Sequence, residues 1–283
     1  MMNLSELIKK NKSIALLAPS FPIDFSYPNV IGMLRELGFD QVTEVTFGAR
    51  MVNWQYAQYI KKNLDQKYFI ASPCPTIVTY IKTVYPELVK YLVPINSPMT
   101  AMAKIYKKNH PDHKVVFISP CFAKQKIEAP QFPKDIDAVI TFSELKQILD
   151  KEGIVESDFN REYFFDSLIR EFTKVYPVSG GLAATSHISK IFKPEEIFVA
   201  DGVLNIKPVL DDIKSGKSKY RFLDILNCPG GCIGGPAIVN KDLSLEARKK
   251  IISDYKEKSS THKLGSHEGK VKYADDVDFT VEF

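Results

Sequence analysis

Four cysteines are the residues of this chain whose type and spacing best suit metal chemistry, and the sequence contains only these four: Cys74, Cys121, Cys228 and Cys232. The last two enclose a Pro-Gly-Gly turn, directly after an apolar run that predicts a buried strand at residues 222–226. The first two each follow a Ser-Pro pair at the exit of another predicted strand. Four thiolates that converge from three strand ends are the ligands that a cubane 4Fe–4S cluster needs.

Zinc and inert core thiols are the alternatives to a cluster. Structural zinc sites usually pair their ligands as Cys-x-x-Cys, and the Cys-x-x-x-Cys spacing of Cys228 and Cys232 is atypical for them. Inert thiols would not all choose proline or glycine neighbours. Gly230 and Gly231 allow the backbone to come close to a bulky group, and we expect the amides of this loop to face the cluster.

The same segments resemble the three motifs of the FeFe-hydrogenase catalytic domain, from about Ala18 to Pro236. Residues 71–75 resemble its Thr-Ser-Cys-Cys-Pro, and residues 119–128 resemble its Met-Pro-Cys-x-x-Lys-Lys-x-Glu, with Glu128 one place late. Residues 226–235 resemble its Met-Ala-Cys-Pro-x-Gly-Cys-x-x-Gly-Gly, and residues 176–181 its Phe-Gly-Ala-Ser/Thr-Gly-Gly. Three motifs in the family's order, which use every cysteine, make this resemblance specific.

The resemblance implies the cofactor called the H-cluster. Its 4Fe–4S part would be held by the four cysteines, and Cys232 would also bridge to a diiron subcluster with CO, cyanide and azadithiolate ligands. Lys124 would bind a cyanide and Glu128 could pair with it. Further residues of the cofactor site would be Ala18, Pro19, Ser20, Pro73, Met99, Ser119, Tyr176, Gly230 and Gly231.

The chain departs from the family where protons are relayed. The family's relay cysteine corresponds to Pro73, which has no acid–base function, and no Glu or Asp occurs between Glu44 and Asp65, where active members carry relay glutamates. Removing a positioned acid–base group costs roughly 10²–10⁴-fold in rate. We therefore expect slow turnover, unless His187 or Tyr176 substitutes for the missing relay.

The function that the resemblance implies is reversible H₂ activation by a slow hydrogenase or an H₂ sensor, whose substrates are H₂ and protons. Its partners would be an external electron carrier such as ferredoxin, or a signalling partner, and the maturases that build the H-cluster. One alternative is a 4Fe–4S-only protein of iron–sulfur cluster assembly or electron transfer. Another is a regulatory binding module that reports H₂ or redox state.

The composition is that of an ordinary globular protein, with 45% hydrophobic and 25% charged residues and a formal net charge of +4. This mild charge, without basic clusters interleaved with aromatic residues, argues against a nucleic-acid partner. No apolar run approaches the ~20 residues of a membrane span. Free thiols and the absence of a recognisable export signal at the N-terminus predict a cytoplasmic location.

Apolar runs alternate with amphipathic segments, which predicts an α/β fold. The resemblance implies two lobes of twisted mixed sheets, flanked by helices, with the iron–sulfur site between them. The proline-bearing break at residues 130–133 would separate a first lobe, residues 1–133 with Cys74 and Cys121, from a second, residues 134–283 with Cys228 and Cys232. Predicted elements include helices over residues 53–64 and 76–91 and a short edge strand over residues 277–283.

Overall fold

The computed structural model describes residues 4–159, 161–166, 171–260 and 271–283. Within these ranges the seven strands are β1 Ser13–Leu17, β2 Gln41–Glu44, β3 Phe69–Ile70, β4 Lys114–Ser119, β5 Ala138–Thr141, β6 Ile197–Asp201 and β7 Phe222–Leu226. The nine α-helices there are α1 Leu4–Lys10, α2 Asn29–Glu36, α3 Thr46–Lys62, α4 Pro75–Val84, α5 Pro98–Asn109, α6 Phe142–Lys151, α7 Gly181–Thr185, α8 Val203–Lys214 and α9 Leu245–Ser260.

Short 3₁₀ and π-helical turns connect these elements. A single π turn spans Lys124–Glu128. The 3₁₀ turns of the described residues are Phe21–Ile23, Pro86–Tyr91, Ala129–Gln131, Glu156–Asp158, Glu171–Val175, Ile188–Lys190, Pro194–Glu196, Cys232–Gly234 and Val271–Ala274.

The strands form two sheets, ordered β2-β1-β4-β5 and β3-β7-β6. Every strand pair within them is parallel. All residues of β1 and β7 are buried, including Asp224 in the middle of β7, which explains why both strands are mainly apolar rather than alternating with exposed polar residues. Because the strands of each sheet are parallel, their carboxyl ends lie at the same edge, and the loops that leave them can build one site.

Two apolar cores stabilise the sheets. The larger core surrounds the first sheet and includes buried residues of α2, α3 and α5. In the smaller core α4 and α8 bury Ile77, Ile81, Ile206 and Leu210 with Leu223 and Ile225 of β7. Among the described residues no helix combines the length and apolar character needed to cross a membrane.

The predicted α/β class is confirmed, and the sheets are parallel where mixed sheets were expected. Each sheet takes strands from both sides of residue 133: β5 joins the first sheet, and β3 joins the second. The sheets therefore do not follow the predicted lobe boundary, which as a domain boundary stays a prediction. Cys74 also leaves the same sheet as Cys228, whereas Cys121 leaves the other.

Three predicted elements differ in extent. The helix expected over residues 76–91 ends at Val84, because Pro86 lacks the N–H that would continue it, and a 3₁₀ turn follows. The helix expected from Asn53 starts at Thr46, directly after β2. Instead of an edge strand, the C-terminal segment makes an isolated antiparallel bridge between Thr280 and Ile95.

Candidate metal centre

One cavity lies where β1, β3, β4 and β7 end, and its total empty volume of about 860 Å³ includes space that is open to solvent. All four cysteines line it. The rest of its wall is mostly apolar. Among these other wall residues are Ala18, Pro19, Ser20, Val45, Ala49, Pro73, Met99, Phe117, Ser119, Lys124, Tyr176 and Gly231.

Local structure directs each cysteine to this cavity. Cys74 is the N-cap residue of α4, and proline occupies the first helical position, where no backbone donor is needed. Cys121 lies two residues beyond β4, and its N–H donates to Ser119 Oγ at 3.2 Å. Cys228 lies two residues beyond β7, and Cys232 begins a 3₁₀ turn.

Burial disfavours the thiolate form of three of the cysteines, Cys121, Cys228 and Cys232. Burial, with a smaller contribution from Cys74 and Cys121, raises the pKa of the Cys228 thiol to about 11. Burial also raises the pKa of Cys232, and charge on each of the other three cysteines adds to this. Because ionised sulfurs in this cavity would repel one another, a positively charged group is needed to hold them as thiolates. Metal binding supplies that charge.

A cluster and a single ion differ in how their protein ligands are arranged. Within the described ranges, no three histidine, cysteine, aspartate or glutamate side chains are grouped closely enough to hold one metal ion. Zinc gathers its four ligands around one centre. A 4Fe–4S cluster binds four thiolates at its separate irons, so these sulfurs surround a larger body.

Lys124 connects the second cysteine loop to the first. Its Nζ donates to the carbonyl of Pro73 at 3.0 Å and forms an ion pair with Glu128 Oε2. Glu128 in turn accepts hydrogen bonds at Oε1 from Ser97 Oγ and, at 2.8 Å, from Thr100 Oγ1. The two charged side chains are only 12% and 10% exposed. Lys124 is therefore a positive charge held at the cavity wall by a fixed carboxylate.

A short antiparallel bridge joins the Tyr176 segment to the third cysteine loop. Val178 pairs with Gly231, the Ser179 N–H donates to Gly230 O at 3.0 Å, and the Ile233 N–H donates to Pro177 O at 3.3 Å. A Cβ on Gly231 would lie 2.6 Å from the carbonyl oxygen of Pro177. Glycine is therefore required at position 231 so that the two protein segments can approach each other. Tyr176, on one segment, and Cys232, on the other, both line the cavity.

Two buried hydroxyls of the cavity wall have no hydrogen-bond partner among the residues that the structure describes. They are Ser20 Oγ and Tyr176 OH. A buried donor without a partner costs free energy of about 1–3 kcal/mol. Both oxygens could donate to a polar or anionic group in the cavity. The donor set of four thiols, two such hydroxyls and one lysine thus fits an anionic iron–sulfur cofactor.

The structure brings most of the predicted site residues to this cavity. Gly230 is an exception: it is not part of the wall, and a Cβ there would meet the side chains of Leu245 and Ile233. The amide of Gly231 donates to Cys228 O at 2.9 Å, so it is engaged within the turn rather than free for a cofactor. Val45, Ala49 and Phe117 line the cavity without having been predicted, since an apolar side chain carries no chemical signal.

A buried ion pair that sequence reasoning missed holds the segment before Tyr176. Lys174 Nζ lies 2.6 Å from Glu44 Oε2 and donates to Tyr255 OH at 2.6 Å, with both charged side chains fully buried. Thr173 Oγ1 donates to Thr46 O at 2.7 Å alongside it. The only available signal was a lysine between Thr173 and Val175 in an otherwise apolar stretch.

A profile of the family described as "Iron only hydrogenase large subunit, C-terminal domain" matches residues 11–236. The periplasmic Fe hydrogenase large subunit of Nitratidesulfovibrio vulgaris is 30% identical over 260 residues, which cover 73% of this chain and 61% of that protein. A probable cytosolic Fe-S cluster assembly factor of Culex quinquefasciatus is 24% identical over 281 residues, which cover 77% of this chain and 58% of that protein. The chain thus spans about three fifths of the length of these relatives.

Solved structures give the same fold. The FeFe-hydrogenase HydA1 of Chlamydomonas reinhardtii, solved as a variant, superposes with a TM-score of 0.71 at 18% identity, covering 96% of this chain and 94% of that one. At this identity the likeness establishes the arrangement of helices and strands.

Proposed function

Because this chain belongs to the family formed by the C-terminal domains of iron-only hydrogenase large subunits, we propose that it activates H₂ reversibly at an H-cluster, slowly or as a hydrogen sensor. Iron–sulfur binding is a property of the family. The observation that carries the proposal is that all four cysteines of the chain and Lys124 line one mostly apolar cavity at the ends of parallel strands.

In this proposal the four cysteine thiolates hold a 4Fe–4S cluster. Cys74 and Cys228 reach it from the second sheet and Cys121 from the first, so the cluster binds the two sheets together. Burial is the main cause that raises the pKa of Cys232. An iron–sulfur group is therefore needed to keep this sulfur ionised.

Cys232 would also help to hold a diiron subcluster with CO, cyanide and azadithiolate ligands. When bound, this group supplies the chemistry by which H₂ is converted to two protons and two electrons. Lys124 and Ser20 would orient it through hydrogen bonds to its anionic ligands. Val45, Ala49 and Phe117 exclude water from that side of the cavity.

We expect slow turnover because the residue before Cys74 in the cavity wall cannot relay protons. Pro73 lines the cavity at the position of the family's proton-relay cysteine and has no group that can hold a proton. Its carbonyl oxygen accepts from Lys124. A protein that binds H₂ but moves protons slowly is suited to sensing. As an enzyme it would pass electrons to an external carrier such as ferredoxin. As a sensor it would transmit the presence of H₂ to a signalling partner. We also propose that H-cluster maturases are partners of this protein and that it is located in the cytoplasm.

Iron–sulfur cluster assembly is the second candidate function, because assembly factors occur among the relatives of the chain. Such a protein would use the four cysteines for a 4Fe–4S cluster alone. Lys124 is compatible with both functions, because a 4Fe–4S cluster with four thiolate ligands is itself anionic.

Anaerobic reconstitution with iron and sulfide tests the cluster. We expect about four irons per chain and the EPR signal of a cubane after reduction. Cys228→Ser should lose this signal. Ser13→Ala is the matched control, because Ser13 is a buried serine at the start of β1, at the opposite end of that strand from the cavity. If Cys228→Ser retains a four-iron cluster, the proposed ligand set is wrong.

A further inference from the structure

The hydroxyl of Tyr176 is a buried polar group that lacks a hydrogen-bond partner in the described part of the chain. The oxygen is buried, Tyr176 lines the cavity, and no described residue hydrogen-bonds to it. Burial raises the pKa of this hydroxyl well above its ordinary value, with further increases from negative charge on Tyr56, Asp224 and Cys232. The hydroxyl is therefore protonated at neutral pH and available as a donor.

The backbone fixes this donor beside the third cysteine loop. The bridge between Val178 and Gly231 and the hydrogen bond from Ile233 N–H to Pro177 O place Tyr176 and Cys232 on two paired segments. Cys232 is also the one cysteine whose charge acts on the Tyr176 hydroxyl. The ion pair of Lys174 with Glu44, two residues earlier, limits movement of the tyrosine segment.

We propose that Tyr176 donates a hydrogen bond to the sulfur of Cys232 when that sulfur is an iron ligand, and that this bond sets the reduction potential of the 4Fe–4S cluster. The inference rests on the proposed cluster ligands. It does not require the diiron subcluster. A donor to a ligand sulfur stabilises the reduced, more negative cluster more than the oxidised one, so it raises the potential.

The test compares Tyr176→Phe with Tyr68→Phe in protein reconstituted with iron and sulfide. Tyr68 is a matched control, because its hydroxyl is also buried without a partner but lies in the smaller core, away from the cavity. EPR-monitored redox titration should show a more negative potential for Tyr176→Phe. We expect a roughly tenfold change in the equilibrium constant for reduction, which is ~59 mV for a one-electron couple. Tyr68→Phe should leave the potential unchanged.

Thermal unfolding of cluster-free protein separates this role from a structural one. Without the cluster the Tyr176 hydroxyl has no partner to lose, so Tyr176→Phe should unfold at the same temperature as the parent protein or higher. A Tyr176→Phe protein that does not fold, or that folds but binds no iron, would contradict the inference, because one hydrogen bond to sulfur cannot account for either result. An unchanged potential would overturn it as well. Failure of the parent protein to bind four irons would instead contradict the proposed function.

Discussion

Lys124 and Glu128 form their ion pair across a single π-helical turn, in which the Ala129 N–H donates to the Lys124 carbonyl five residues earlier. The family motif places its glutamate one residue nearer to the lysine than this chain does. The π turn accommodates that additional residue and returns Glu128 to Lys124. Single π turns inside helical segments occur frequently at functional sites.

Replacing Glu128 with glutamine should destabilise the protein by about 3–5 kcal/mol, because it leaves the Lys124 ammonium without its counter-charge in a nearly buried position. The free energy of unfolding of cluster-free protein, measured with denaturant, checks this. Asp150→Asn is the matched control, since it breaks an ion pair of the same spacing with Lys146 on the surface. That change should cost about 0.3–0.5 kcal/mol. Equal losses would mean that the Lys124 pair is no stronger than a surface pair.

Lys174→Met should cost a similar amount, roughly 3–5 kcal/mol, because Glu44 would be left fully buried without its counter-charge. The double change Glu44→Gln with Lys174→Met should cost less than the sum of the two single changes. Lys214→Met, which breaks an exposed pair with Glu87, provides the comparison. Additive losses in the double variant would show that the two side chains do not interact energetically.

Sequence reasoning located the cysteines because each follows a local pattern, an apolar run and then Pro or Gly, which needs only a few residues to read. The partners of Glu128 were harder to identify. Ser97 occupies the N-cap position of α5, but its hydroxyl donates to Glu128 instead of capping the helix. The sequence could not indicate this, because it depends on a contact between segments 31 residues apart.

The pairing of strands was beyond sequence reasoning for the same reason. β3 is only two residues long and pairs with β7, more than a hundred residues later in the chain. The proline-bearing break at residues 130–133 does not indicate which strands pair. Lys174 was missed because a single lysine is usually exposed, and its burial depends on a carboxylate at the end of β2.

Asp224 should make stability depend on pH. This fully buried carboxyl of β7 accepts from the Ala183 N–H at 2.8 Å, and burial raises its pKa from 3.8 to about 6. Because the folded state holds the proton more tightly, the stability present below about pH 4 is lost as pH rises toward about 6, by roughly 3 kcal/mol. Denaturant unfolding across this range should show the loss in the parent protein, and Asp224→Asn should lack it. Parallel curves for the two proteins would mean that Asp224 does not titrate in this window.

Pro73→Cys should raise the rate of H₂ turnover in protein carrying the complete cofactor, by up to roughly 10²–10⁴-fold, because it adds an acid–base group to the cavity wall. Pro73→Ala controls for loss of the proline ring, and both variants keep the carbonyl that accepts from Lys124. If Pro73→Cys and Pro73→Ala turn over H₂ equally, proton relay at this position does not limit the rate.

We propose that this cavity holds a diiron subcluster beside its 4Fe–4S cluster. Infrared spectroscopy of anaerobic protein, after maturation with a synthetic diiron complex, tests it most directly. We predict sharp CO and cyanide bands that shift when H₂ is added. A sample with about four irons per chain and a cubane EPR signal, but without these bands, would contradict the claim and favour the assembly or electron-transfer function.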